Sequence, residues 1–460
     1  MATTPYFILS PNTVLSAVGL IRGPDPTVPT PAEDWRAATV AVVIPALNEE
    51  SNIALCLASL ARQTVKPRHI VLIDDGSQDR TLDYAQAFCD ANGMALTAVH
   101  RHEPIGKTPT LKRQAREYDV DVEFILDGDT VLESENYIER TVQELYQGAG
   151  IASACGTILP LRDRDRRREL EFDSMRRFLE VRPEATVYPR VGWLRHLQRG
   201  ITDLYRDVLY MFLQRFVYHG QMAFFGSILN PVGCAVAYRR KYLKDLFDHY
   251  EPLLGDDLTN SEDIFIGFAL NDQGYRNIQL TDVYARSQEP EASRVPHQVY
   301  LWSSSFLQSC YYFDELMRSP FKALKRWRHR REEHAPGHGA EHRRIKEQYR
   351  QPFGLAHTMK FGRPIGWVLF MSAFEKVAFP TTLLIMILLQ LWEPLAVTLL
   401  AESALAVGLL TWAARGRRLE YLGKGLAVTP LRYGVLLFDL VTIGRFAFDL
   451  WISRNRRWRK

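Results

Sequence analysis

Four short stretches of this sequence carry charged side chains at spacings that suit chemistry. Asp127-Gly128-Asp129-Thr130 sets two carboxylates around a glycine directly after the apolar run 124–126. Such a pair suits a hard cation, Mg²⁺ or Mn²⁺, which as a Lewis acid neutralises charge on a departing group. Asn260-Ser261-Glu262-Asp263-Ile264 opens a segment of helical apolar spacing. There Asp263 is the candidate general base for an attacking hydroxyl, with Glu262 orienting it. In Asp74-Asp75-Gly76-Ser77-Gln78-Asp79-Arg80-Thr81, a carboxylate such as Asp75 accepts from the N–H edge of a uracil-like base, and Gly76 lets backbone approach a nucleotide. Ile44-Pro45-Ala46-Leu47-Asn48-Glu49-Glu50 is the fourth. Lys107, which opens a basic helix with Lys112 and Arg113, fits phosphates met at a helix N-terminus. Each stretch also has a plainer reading. Asp and Ser favour caps and turns, acidic residues favour helix N-termini, and basic clusters form solvated faces. Position decides between the readings.

The elements that must hold these residues alternate from residue 38 onward. Short apolar, β-branched runs at 39–45, 69–73, 95–100 and 122–126 predict strands. Amphipathic stretches at 48–62, 79–91 and 108–117 predict helices, the first with Glu49 and Glu50 in its opening turn. This order predicts an α/β fold, a Rossmann-like, mainly parallel sheet flanked by helices, with ligands at the carboxyl ends of the strands. The motifs fall at those ends. Residues 161–225 read as a basic, aromatic, helical insert, and 226–310 return to short strands with one clear helix around 263–272.

The rest bounds the setting. Residues 379–392 and 394–414 are dense apolar runs, the second long enough to span a bilayer. Residues 365–374 read as an interfacial helix. Residues 431–453 are apolar but hold Asp439, Arg445 and Asp449, which favours an in-plane or re-entrant helix over a third span. Basic loop and tail residues set the expected orientation: a bacterial inner membrane with the catalytic domain facing the cytoplasm. Residues 6–21, interrupted by Pro11, read as a strand or surface-lying segment, followed by a proline-rich linker. The expected division is 1–37 segment and linker, 38–320 catalytic domain, 321–360 basic linker, and 361–460 membrane-associated helices. In the basic linker, a metal-binding reading of His329, His334, His338 and His342 ranks below a segment lying on anionic headgroups. A net charge of +4 is too weak to argue for nucleic acid. Five scattered cysteines without a CxxC pair read as thiols in a reducing compartment.

Together the stretches VVIPALNEE, IDDGSQDRT, GKTPTLKRQA, ILDGDT, NPVGCAVAYRR and NSEDIFIGFALNDQGYR resemble, in order and spacing, the inverting glycosyltransferase family 2, whose catalytic unit has the GT-A fold. The resemblance implies donor-binding roles for Pro45, Glu50, Asp75, Lys107 and Asp127. It implies metal ligation by Asp129 with Asp127, and makes Asp263 the base. It places Gly233 and Cys234 at an acceptor-side turn. Membrane-bound polysaccharide synthases of this family carry QxxRW; here Gln298-Val299-Tyr300-Leu301-Trp302 occupies that place, with leucine for the arginine. Gln298 and Trp302 are therefore acceptor-side candidates, and the missing guanidinium puts processivity in doubt. The implied partners are a UDP-sugar, Mg²⁺ or Mn²⁺, a growing glycan or a lipid acceptor, and the membrane. A second copy or an export subunit is a further partner to consider. A catalytically inactive nucleotide-binding subunit is the reading from another class.

Overall fold

The computed structural model describes residues 11–22, 34–148, 150–188, 192–254, 259, 261–333 and 353–453. Strand β1 (Val40–Ala46) is almost wholly buried, which is why it reads as an unbroken apolar run. It pairs in parallel with β2 (His69–Asp74) and β4 (Val122–Leu126), and β2 pairs in parallel with β3 (Thr97–His100). Helices Ile53–Ala61, Thr81–Asn92 and Lys107–Glu117 follow the first three strands, as the alternation predicts. Four further strands complete the sheet: β5 (Thr130–Leu132), β6 (Ile151–Pro160), β7 (Ala235–Arg239) and β8 (Arg276–Ser287). The spatial order is β3-β2-β1-β4-β7-β6-β8-β5.

This second half makes the sheet mixed. Strand β7 runs antiparallel to both β4 and β6, while β6 runs parallel to β8. The reversal has a chemical consequence. Leu126 at the end of β4 pairs with Ala235 at the start of β7, and Asp127 N donates to Cys234 O at 2.9 Å. Gly233 and Cys234 thus arrive beside the Asp127 motif.

Several elements differ from the sequence reading. Glu49 and Glu50 precede the first helix, which starts at Ile53. Asn48 adopts a left-handed φ of 58°, and the amides of Asn48, Glu49 and Glu50 donate to Ser77 Oγ, Thr81 Oγ1 and Asp79 Oδ2. Side chains from the loop after β2 capture these amides and hold a turn where a helix was expected. The N-terminal segment is a helix, Pro11–Arg22, and not a strand. It crosses helix His219–Phe225 at paired glycines, where a Cβ on Gly19 would lie 2.3 Å from Gly220 O. Segment 226–310 holds two helices beyond the expected Glu262–Gln273, namely Arg240–Leu254 and Val295–Tyr312. The proline-rich linker, Asn260, His334, His338, His342 and residues 454–460 lie outside the described residues. All five cysteines are free thiols.

The C-terminal region forms three helices long and apolar enough to cross a membrane: Gly366–Leu388, Trp392–Ala413 and Arg418–Trp451. Residues 365–374 are not a separate interfacial helix but merge into the first. The third absorbs half of the basic loop and all of the apolar stretch up to Trp451. Its charges have partners: Asp439 pairs with Lys376 at 2.8 Å and also accepts from Ser303, while Arg445 lies 5.2 Å from the Tyr300 ring centroid. Arg432 pairs with Glu402, and Tyr433 donates to Glu402 at 2.5 Å. Charges inside apolar helices are retained when they face a partner rather than lipid. The third helix also packs along Val295–Tyr312 and Trp193–Phe212 of the catalytic domain.

Candidate active site

Lys107 stands at the centre of the site, and Asp75 explains its aim. Gly106, at a φ of 93°, caps the helix that Lys107 opens. The Asp75 carboxylate accepts from Ile105 N (3.0 Å), Gly106 N (2.8 Å) and Arg101 Nη1 (2.9 Å). Burial alone would raise the Asp75 pKa, but these donors outweigh it and hold the carboxyl below its usual range. Asp75 therefore fixes the helix N-terminus. From there Lys107 Nζ reaches Asp127 Oδ1 at 2.7 Å, Glu262 Oε1 at 2.7 Å and Gly233 O at 3.1 Å. Burial works against its charge; the two carboxylates prevail and raise its pKa well above the ordinary value.

Glu262 and Asp263 occupy the first turn of helix Glu262–Gln273. Asp263 Oδ1 accepts from Ser261 Oγ at 2.6 Å, and Oδ2 accepts from Gly233 N at 3.2 Å. A Cβ on Gly233 would stand 2.8 Å from Asp263 Cβ, so the absence of a side chain lets this helix approach the turn. Lys107, Asp127, Glu262, Asp263, Gly233 and Cys234 are thereby brought together.

Asp129 lies next to this group. Its Oδ1 accepts from Thr130 Oγ1 and Ser287 Oγ at 3.2 and 3.3 Å. Glu49, which the sequence reading took for the opening turn of a helix, joins it. Burial, then the charge of Asp129, pushes the Glu49 carboxyl up to about 8 despite a hydrogen bond from Asn52. Burial likewise lifts Asp127 to about 7 against the pull of Lys107, and raises Asp129. Two carboxylates (Asp127, Glu262) thus meet one ammonium, with the charges of Asp129 and Glu49 beside them. Excess negative charge on hard oxygen donors fits a divalent cation. Among the described residues no three such groups converge as a ready cage. A cation here would be held by Asp129 with Asp127 and would draw its remaining oxygens from outside the protein, as Mg²⁺ commonly does. Pro45 contributes its carbonyl, which accepts from Gly128 N at 3.2 Å, and Glu50 accepts from Arg80 N at 3.3 Å.

Gln298 and Trp302 converge on a residue that no motif marked. Arg206, fully buried on helix Trp193–Phe212, bonds Gln298, lies 4.4 Å from the Trp302 ring centroid, and meets Glu289 Oε2 at 3.0 Å. A guanidinium thus fills from another helix the neighbourhood that Leu301 leaves without one. Burial raises the Glu289 pKa, and Tyr210 donates to it at 2.8 Å. Gln288 N donates to Asp129 O at 3.2 Å, so this cluster adjoins the Asp129 end of the site. Arg166 is a second residue that was missed: it bonds Ser51 O, Asn52 Oδ1, Val187 O and Gln288 Oε1, and burial lowers its pKa to about 10.

Part of the chain is similar to a known family. Residues 41–247 match the family described as glycosyl transferase family 2. A PGL/p-HBAD biosynthesis glycosyltransferase of Mycobacterium tuberculosis is 38% identical over 77 residues, 17% of this chain and 30% of that protein. An undecaprenyl-phosphate 4-deoxy-4-formamido-L-arabinose transferase of Pseudomonas paraeruginosa is 32% identical over 118 residues, 25% and 34% of the two chains. The chain therefore spans about a third of the length of these relatives. Among solved structures, a mannosyltransferase from Pyrobaculum calidifontis in complex with GDP-Man and Mn²⁺ aligns over 96% of this chain and 98% of its own, at 16% identity and a TM-score of 0.47. A glucosyl-3-phosphoglycerate synthase from Mycobacterium tuberculosis, in complex with Mn²⁺, UDP and phosphoglyceric acid, aligns over 60% and 79%, at 17% identity and a TM-score of 0.33. The match to glycosyl transferase family 2 thus covers the stretch that carries Pro45, Glu50, Asp75, Lys107, Asp127, Asp129, Gly233 and Cys234 at the rim of one sheet.

Proposed function

We propose that this chain is a metal-dependent, inverting glycosyltransferase that passes a sugar from a UDP-sugar to an acceptor at a membrane face. The observation that supports it is one connected set of groups at the carboxyl edge of the sheet. Asp75 holds the turn that aims Lys107, Lys107 bridges Asp127 and Glu262, and Gly233 links Lys107 to Asp263. Lys107 meets the donor phosphate oxygens by exchanging one of its three present contacts for them. Asp263 faces the attacking acceptor oxygen and takes its proton where that oxygen is a hydroxyl, as it bonds to the anomeric carbon and the bond to the UDP oxygen breaks. Ser261 and Gly233 N hold Asp263 in place for that transfer. A divalent cation on Asp129 and Asp127, when bound, neutralises charge on the leaving diphosphate.

Two acceptors are open, a growing glycan and a lipid. The lipid is favoured by Leu301, which removes a bidentate phosphate partner, and by the engagement of Arg206 with Glu289 and Gln298. The relative that acts on undecaprenyl phosphate supports the same choice. Chain elongation is the second reading. On this reading the site works at the cytoplasmic face of a bacterial inner membrane, which the basic loop after the second apolar helix supports. Purified protein incubated with a panel of UDP-sugars, Mn²⁺ and membrane lipid extract tests this: UDP release with one added sugar per acceptor is expected. A ladder of products favours elongation, and no release with any UDP-sugar overturns the donor assignment.

A further inference from the structure

A cavity of about 560 Å³ lies outside the Lys107 cluster, between the arginine-rich helix Asp163–Glu169 and the first half of helix Trp193–Phe212. Arg162, Arg164, Arg166, His196 and Arg199 line it, against Asp163, Asp203 and Glu289. Three of these groups are occupied: Arg162 by Asp207, Arg166 by Gln288 and main-chain oxygens, and Glu289 by Arg206. Arg199 Nε is shielded from solvent and makes no hydrogen bond among the described residues; its nearest carboxylate, Glu291, is 4.0 Å from Nη2. Arg164 is largely exposed and reaches Asp165 only at 3.7 Å. Gln288 and Glu289 form part of the wall, and Gln288 N is bonded to Asp129 O, so the cavity opens beside the metal-suited carboxylates.

The rim of the cavity is apolar. Trp193, Leu194, Leu197 and Ile201 are 80, 52, 55 and 43% exposed and fall at i, i+1, i+4 and i+8, a single face of the helix. Leu197 and Ile201 also line the cavity. The same helix packs against the second and third apolar helices, and Lys424 of the third donates to Asp207 at 2.6 Å. The helix that carries the stripe is therefore joined, through its C-terminal half, to the part of the molecule suited to a bilayer. A helix with tryptophan and leucine on one face and arginine and histidine on the others suits the headgroup boundary of an anionic membrane.

We propose that this cavity receives the phosphate of a lipid-borne acceptor through Arg164 and Arg199, and that the stripe lies in the bilayer interface and takes the adjoining hydrocarbon chain. The inference rests on the lipid-acceptor reading above. Its test uses the full chain in detergent, a ten-carbon isoprenyl monophosphate, the matching alcohol and inorganic phosphate as probes, and titration calorimetry. Wild type is expected to bind the monophosphate at least tenfold more tightly than either the alcohol or inorganic phosphate. R164E/R199E should lose that advantage over the alcohol, and R164K/R199K should restore much of it. Leu197→Glu with Trp193→Glu should weaken the monophosphate tenfold and leave inorganic phosphate unaffected. UDP affinity, measured alongside, should stay constant in all variants and show that each is folded. Equal binding of monophosphate and alcohol by wild type, or undiminished binding by R164E/R199E, overturns the proposal. Failure to bind UDP with an intact monophosphate site overturns the donor assignment instead.

Discussion

On the proposed reading of Asp263, exchanging one carboxylate oxygen for an amide nitrogen separates binding from chemistry. With Asp263 as the proposed base, Asp263→Asn keeps the shape and removes the proton acceptor, so kcat toward a hydroxyl acceptor is expected to fall about 10²–10⁴-fold with donor affinity nearly unchanged. UDP release and equilibrium donor binding read the two effects. Asp129→Asn should instead weaken Mn²⁺-dependent donor binding, by about 10–100-fold if Asp129 is a ligand. The crowded carboxylates also set a pH dependence. Glu49 and Asp127 are raised to about 8 and about 7 by burial and like charge. Their contribution to stability is fully present below the unfolded carboxyl pKa and is lost as pH rises through 7 and 8. The metal-free protein should therefore melt lower at pH 8.5 than at pH 6, and the Tm gain on adding Mn²⁺ should grow over the same range. Wild-type thermal scans with and without Mn²⁺ check both. Asp127, Asp129, Lys107 and Asp263 were legible in the sequence because each sits where a strand ends or a helix begins. Arg206 was not, since its partners Gln298 and Glu289 lie 92 and more than 80 positions away and no spacing announces them.

Helices meet at glycines in this fold, and two of these contacts are testable. Gly233→Ala would press a Cβ against Asp263 Cβ and push helix Glu262–Gln273 outward. Small displacements of a catalytic group are costly, so kcat should fall about 10–10²-fold while Tm changes little. Gly220→Leu would collide with Ser16 and lift helix Pro11–Arg22 from its seat. Hydrogen exchange across 11–22 should then rise while the β1–β4 amides stay protected. The parallel strands were legible as apolar runs because their burial leaves no polar alternation to obscure them. Helix Val295–Tyr312 was not, because its buried side carries Ser303, Ser304, Ser305 and Ser309, which break the apolar period. The turn at Glu49 escaped notice for the opposite reason: its acidic residues look like a helix start, but their amides are claimed by Thr81 and Asp79.

Across the whole molecule, the apolar C-terminal helices and the catalytic domain share buried polar contacts. Ser303 of the catalytic domain joins the Lys376–Asp439 pair, and Asn12 of the N-terminal helix bonds Ser372 and Glu375. Removing one member of a buried pair costs about 3–5 kcal/mol, whereas replacing both by apolar groups is often neutral. Lys376→Met alone should lower the Tm of the detergent-solubilised protein, and Lys376→Met with Asp439→Leu should recover most of the loss. The sequence showed Asp439 as a charge that would pull its helix to the interface, because nothing in it reveals that Lys376 and Ser303 wait opposite. The Asp207 carboxylate, held by Arg162 on one side and Lys424 on the other, extends this sharing to the helix that carries the apolar rim. A tether can be cut and leave an enzyme behind; a common wall cannot. Pieces ending before residue 361 should emerge as aggregates, and the smallest working catalyst should be the full chain.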